Sequence, residues 1–140
     1  MRTFFDSSAF AKRYIAEKGS QEVDDTCQEA SALALSVLCV PEIISALNRR
    51  VREGSLTSRQ YAAAKARLAV DVADAEVINL IPAVIGRAIS LLETNALRAL
   101  DALQIACALE WGAELFATCD ERQIGAARKA GLRTKWIEVE

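Results

Sequence analysis

The sequence predicts an α/β domain, a parallel sheet flanked by helices. Two observations carry that reading. Short apolar, β-rich runs alternate with longer stretches of helical apolar period along the chain. No linker, internal repeat or low-complexity segment interrupts the alternation. The 140 residues suit one domain, residues 1–140, and an apolar content of 52% is enough for a buried core.

The elements follow in order. Thr3 to Phe5 reads as the first strand. Ser7 or Ser8 offers a cap hydroxyl for a helix to about Glu17, with Gly19 as its stop. Ser20 then caps a helix through about Glu29, and Leu33 to Leu35 is the second strand. A helix follows between Val37 and Glu53, stopped by Gly54, with Pro41 either in its first turn or as a mild kink. Thr57-Ser58-Arg59-Gln60 has the form of a capping box opening a helix to about Ala73. Glu76 to Leu80 is the third strand, and Pro82 opens a helix to about Glu93. Asn95 breaks it before a helix from Leu97 to Trp111. Leu115 to Thr118 is the fourth strand. Asp120 caps a helix to Lys129, Gly131 ends it, and Thr134 to Ile137 is the fifth strand.

Composition excludes several chemistries. There is no histidine, so Ser-His-Asp and Cys-His nucleophilic sites, H-E-x-x-H metalloproteases and His-ligated zinc are ruled out. Cys27, Cys39, Cys107 and Cys119 form no C-x-x-C pair and read as reduced, mostly buried small side chains. Any hydrolysis must run on carboxylates, hydroxyls, Lys and Arg, or an oxygen-held metal. The net charge of −2 does not advertise nucleic-acid binding. Local basic clusters, such as Arg49, Arg50 and Arg52, are either patches for a polyanion or solvated helix faces. Apolar runs are broken well before membrane-spanning length, and Asp6 falls where an export signal needs unbroken apolar sequence. The expectation is a cytoplasmic protein.

Four acids stand out. Asp6 directly follows the first strand and Asp120 follows the fourth. If those strands are parallel, both acids lie at the carboxyl edge of the sheet, where open α/β folds bind ligands. Asp120 is equally well placed as an N-cap. Asp101 lies in a helix that is apolar nearly all round, sharing a face with Leu97, Arg98, Gln104 and Ile105. A buried carboxylate there needs a partner, either Arg98 or a metal ion. Glu42, after Pro41, either complements a helix dipole or lies within an apolar stretch and needs a partner too.

Phe5-Asp6-Ser7-Ser8-Ala9, Pro41-Glu42-Ile43 through Ala46-Leu47, Leu100-Asp101-Ala102-Leu103-Gln104-Ile105-Ala106 and Ala117-Thr118-Cys119-Asp120 occur in the order seen in PIN-domain nucleases. Over essentially its whole length the chain resembles the VapC-type toxins of bacterial and archaeal toxin–antitoxin pairs. The resemblance implies a PIN-like three-layer α/β/α fold with a five-stranded parallel sheet. It implies a metal-dependent endoribonuclease, with an RNA substrate, an antitoxin partner and a homodimer. By motif the catalytic acids are Asp6, Glu42, Asp101 and Asp120, with Thr118 beside them. Many relatives carry His where this chain has Gln104, which leaves the metal chemistry intact and any substrate-contact role of that position open.

Such a donor set suits Mg²⁺ or Mn²⁺, which can supply the attacking hydroxide and relieve phosphate charge without a protein nucleophile. On this reading Asp6, Asp101 and Asp120 hold the principal ion directly or through water. Glu42 holds a second ion or orients the attacking water. Ser7 and Thr118 support them by hydrogen bonds, and Arg49, seven residues after Glu42, is the candidate phosphate contact. Crowded carboxylates also imply at least one raised pKa in the metal-free protein. The rivals are a PIN-like module that binds RNA or a protein without cutting, and a housekeeping RNA-processing nuclease. A haloacid-dehalogenase-type phosphatase would need an acid where Ser8 stands, and no G-x-G-x-x-G follows the first strand.

Overall fold

A computed structural model describes residues 1–139. Five strands, β1 (Arg2–Phe5), β2 (Ala32–Ser36), β3 (Glu76–Ile78), β4 (Leu115–Thr118) and β5 (Arg133–Trp136), form one sheet in the order β3-β2-β1-β4-β5. Every pairing is parallel. Seven helices connect them: α1 (Ser7–Phe10), α2 (Ser20–Glu29), α3 (Cys39–Arg52), α4 (Ser58–Ala73), α5 (Pro82–Thr94), α6 (Ala99–Trp111) and α7 (Glu121–Lys129). The expected α/β class and parallel five-stranded sheet are what forms.

Strand alternation builds two cores, one on each face of the sheet. Phe4, Ala34 and Phe116 point into the first, against α5, α6 and α7. Their neighbours Phe5, Leu35 and Ala117 point into the second, against α1, α3 and α4. Phe4 stacks on Phe116 at 5.9 Å between ring centroids, locking β1 to β4. The result is a three-layer stack.

The sheet runs outward from β1 to β3 on one side, then restarts at β4 on the other. The topological switch lies between β1 and β4, where the carboxyl ends of two neighbouring strands leave a crevice. Asp6 and Asp120 follow those two ends.

Three local readings are corrected. The first helix does not run to Glu17: α1 tightens into a 3-10 turn at Ala11–Arg13 and stops. The chain turns there because Lys12, buried, donates its ammonium to the Lys18 carbonyl at 2.6 Å and to Glu17 at 3.1 Å. Gly19 is therefore not the stop of that helix but the N-cap of α2, at φ 93°. A Cβ there would lie 2.8 Å from the Glu138 carbonyl, so glycine serves both backbone hand and space. The cap of α1 is Asp6 itself, whose side chain accepts the Ala9 N–H, rather than Ser7 or Ser8. Shorter differences lie at β3, which ends at Ile78, at α6, which starts at Ala99 after Arg98 as N-cap, and at β5, which is shifted by one residue. The capping box at Thr57 and Gln60 forms with both bonds. The helix holding Glu42 begins at Cys39, so Pro41 sits in its first turn, where its missing N–H costs nothing. Cys27, Cys39, Cys107 and Cys119 are free thiols, two buried and two half-buried.

Candidate active site

Asp6, Glu42, Asp101 and Asp120 line one cavity of about 90 Å³ at the switch point, together with Ser7, Ser8, Arg98, Gln104 and Gln123. Residues from the β1–α1 junction, α1, α3, the start and body of α6, the β4–α7 junction and α7 thus meet in one place. Among the described residues, the larger cavities elsewhere hold no comparable set of acids. Asp6 and Glu42 are 36 positions apart, and Glu42 and Asp101 are 59 apart, so only the parallel sheet and its crossovers bring them together.

Each carboxylate is held by its own partners. Asp6 is 1% exposed. Its Oδ1 accepts the Ala9 N–H at 2.9 Å, and its Oδ2 accepts the Thr118 hydroxyl at 2.6 Å. The Ser8 hydroxyl donates to the same carboxylate at 2.8 Å. Thr118 in turn accepts the Asp120 N–H at 3.0 Å, so one hydroxyl links Asp6 after β1 to Asp120 after β4. Burial pushes the Asp6 carboxyl up from 3.8 to about 6, with a smaller upward push from the Asp120 charge. The bonds from Thr118, Ala9 and Ser8 oppose that push. A raised pKa was expected from crowding; it falls on this residue, but burial is its main cause and the Asp120 charge the smallest.

Glu42 is clamped on one oxygen. Its Oε1 accepts the Ser7 hydroxyl at 2.7 Å and the Gln104 amide N–H at 2.7 Å. Gln104 also donates to the Ser7 oxygen at 2.8 Å, closing a three-membered ring of hydrogen bonds. Among the described residues no hydrogen bond falls on Oε2. Asp101 accepts the Gln123 amide at 3.0 Å on Oδ1 and the Arg98 Nε at 3.2 Å on Oδ2. Asp120 caps α7 through the Arg122 N–H at 2.9 Å. Its other oxygen lies 3.8 Å from the Arg98 guanidinium. Asp120 is therefore the cap of α7 and at the same time a wall of the cavity.

Two buried amides join the acids, and of these the sequence marked only Gln104. Gln104 is 2% exposed and Gln123 4%, and the Oε1 of each has no hydrogen-bond partner among the described residues. A buried acceptor left unmatched costs free energy. Both belong to cavity-lining residues, which adds two oxygen donors to the acidic set. Gln104 shares the helical face of Asp101, a signal that was legible. Gln123 lies three residues after Asp120, and nothing in its neighbourhood marks it as buried. Arg49, exposed in the last turn of α3, does not line the cavity, whereas Arg98 does.

Among the described residues, no three Asp, Glu or Cys side chains stand close enough to hold an ion as they are now turned. The donors themselves fit one: they are hard oxygens, carboxylates of four acids and two unmatched amide oxygens, converging on a small cavity. Closing on a cation requires the carboxylates to release present partners, above all Arg98. No helix among the described residues is long and apolar enough to cross a membrane.

Residues 3–129 match the family model described as PIN domain. Among solved structures, the chain is similar to VapC20 of Mycobacterium tuberculosis, described as a sarcin-ricin loop cleaving toxin. That match has 18% identity and a TM-score of 0.68 and covers 93% of this chain and 95% of that one. VapBC2 of Rickettsia felis, solved bound to a promoter DNA fragment, matches at 11% identity and a TM-score of 0.70, over 99% and 100% of the two chains. PAE2754 of Pyrobaculum aerophilum matches at 21% identity and a TM-score of 0.67, over 96% and 92%. No curated protein sequence matches the chain.

Proposed function

The chain belongs to the PIN domain family, and on that premise we propose that it is a metal-dependent endoribonuclease, the toxin of a toxin–antitoxin pair. The observation that carries the proposal is the convergence of Asp6, Glu42, Asp101 and Asp120 on one cavity at the carboxyl edge of the sheet. With no histidine in the chain, that cavity holds the group of side chains best suited to phosphodiester hydrolysis.

Asp6, Asp101 and Asp120 would hold Mg²⁺ or Mn²⁺, directly or through water, with Gln104 or Gln123 Oε1 as further donors. When bound, a divalent ion there supplies an activated water and relief of charge on the phosphate. The protein's own part is positioning. Thr118 and Ser8 fix the Asp6 carboxylate, and Gln123 fixes that of Asp101. Ser7 and Gln104 hold Glu42 by Oε1, leaving Oε2 to orient the attacking water and take its proton. In this chain an amide therefore does the orienting at position 104, where an imidazole would add a titrating group.

The direct test is cleavage of total RNA by the purified protein, with magnesium and with chelator, followed by mapping of the cut ends. Magnesium-dependent cuts at defined sites are the expected result. RNA retention without product, indifferent to chelator, would favour a binding module instead.

An antitoxin partner is proposed from the VapBC complexes among the structural relatives. We further propose a homodimer. Ile81, Ile85, Ile89 and Leu92 leave an exposed apolar stripe along α5, at spacing that keeps them on one side of the helix. A second copy is the occupant this reading assigns to it. Ile89→Glu is expected to convert a dimer to a monomer in light scattering while leaving the circular dichroism spectrum unchanged. A dimer that persists would move the interface elsewhere.

A further inference from the structure

We propose that Arg98 exchanges partners in the working site: its guanidinium neutralises Asp101 and Asp120 until a divalent cation takes those carboxylates, and then binds an RNA phosphate. The proposal rests on the nuclease reading above and adds to it a residue with two successive roles.

Three features of the structure point this way. First, Arg98 reaches the same oxygens that a cation would need. Its Nε lies 3.2 Å from Asp101 Oδ2 and its Nη2 lies 3.8 Å from Asp120 Oδ2. One guanidinium thus spans two acids that come from different elements. A cation drawing both carboxylates together cannot share that position with it.

Second, the exchange is cheap. The Arg98 side chain is 68% exposed, although Asp101 beneath it is buried. Water solvates the guanidinium once it leaves, and its long side chain regains rotamer freedom, while the incoming cation keeps the buried Asp101 carboxylate partnered. A divalent ion brings twice the charge to the acids at shorter range. The backbone at Arg98 stays put throughout: it is the extended N-cap residue of α6, and its carbonyl accepts the Ala102 N–H at 3.1 Å. Only the side chain has to swing.

Third, a displaced Arg98 has somewhere useful to go. Among the described residues it is the one cation lining the cavity. Arg122, its neighbour on Asp120, has its Nε 3.5 Å from the other Asp120 oxygen and does not line the cavity. A guanidinium leaving the acids stays tethered at the cavity mouth, where an RNA backbone must pass to reach the site. Its planar fork matches two phosphate oxygens. This gives Arg98 the role that sequence spacing assigned to Arg49.

The two roles predict effects of opposite sign. Manganese affinity would be measured by calorimetry on wild type, Arg98→Gln and Arg98→Lys. Arg98→Gln is expected to bind Mn²⁺ roughly fivefold tighter, the fold-change equivalent to losing one exposed ion pair. Arg98→Lys, which keeps the charge, should stay near wild type. A fluorescein-labelled single-stranded oligouridine would then be titrated in Ca²⁺, with the strand checked intact on a gel. Arg98→Gln is expected to bind it several-fold more weakly than wild type. Thermal melts confirm that all three proteins fold. Unchanged or weaker Mn²⁺ binding by Arg98→Gln overturns the exchange, as does unchanged RNA affinity. If no protein of the series binds Mn²⁺, the metal-dependent nuclease reading itself falls.

Discussion

Asp101→Asn is expected to abolish metal-dependent RNA cleavage while leaving the fold intact. The substitution keeps the shape of the side chain and an Oδ1 that still accepts the Gln123 amide, now at 3.0 Å. It removes the negative charge that draws a cation into the cavity. Loss of a group that merely orients a metal ligand typically costs about 10- to 100-fold, so loss of the ligand's charge should cost at least roughly a hundredfold. The structural cost is small by comparison. The partner given up is a solvent-exposed arginine, which water solvates well once released. Cleavage rates in saturating magnesium, paired with a melting curve, separate the two effects. Wild-type cleavage by the variant would remove Asp101 from the site.

Asp6→Asn is expected to stabilise the metal-free protein at neutral pH, although it removes a residue proposed to be essential. The buried Asp6 carboxyl is raised from 3.8 to about 6. A group whose folded pKa lies above its unfolded value favours the folded state most when it is protonated. That contribution is fully present below about pH 4. It is lost as pH rises from there to about 6, and above that the ionised, desolvated carboxylate is a constant burden of about 3 kcal/mol.

Asn carries no such charge and still caps α1 through the Ala9 N–H, since Asn and Asp are comparable N-caps. It loses one good acceptor for the Thr118 or Ser8 hydroxyl, a cost of about 1 kcal/mol. Denaturation in chelator should therefore show the variant more stable by about 1–2 kcal/mol at pH 8 and slightly less stable at pH 4, with the curves crossing between. Adding Mn²⁺ should raise the wild-type melting temperature and move the variant much less. A variant that is clearly less stable at pH 8 in chelator would contradict the burial argument.

These two residues also show what kind of fact a sequence carries. Asp6 was legible because it ends the first apolar run, and Asp101 because a charge interrupts a helix that is otherwise apolar. Ser7 was legible as the hydroxyl beside Asp6, and Thr118, two residues before Asp120, was marked by the resemblance. The order and class of every strand were legible from alternation and turn chemistry. What failed locally did so for tertiary reasons. The first helix has no stop signal before Gly19, yet it ends early because Lys12 is buried and bonds forward to Lys18. Ser7 has a good capping hydroxyl, but Glu42 and Gln104 claim it.

The chain alone determined the α/β class and the parallel order of elements, set by period and residue type within a few positions of sequence, while the four acids were grouped only by the resemblance to PIN-domain nucleases. Tertiary structure alone decided which groups touch. It placed Gln104 on Glu42, Gln123 on Asp101 and one arginine across two acids. The reason is that those contacts depend on how separate helices pack on the sheet, and bond lengths between residues so distant in the chain leave no local pattern to read.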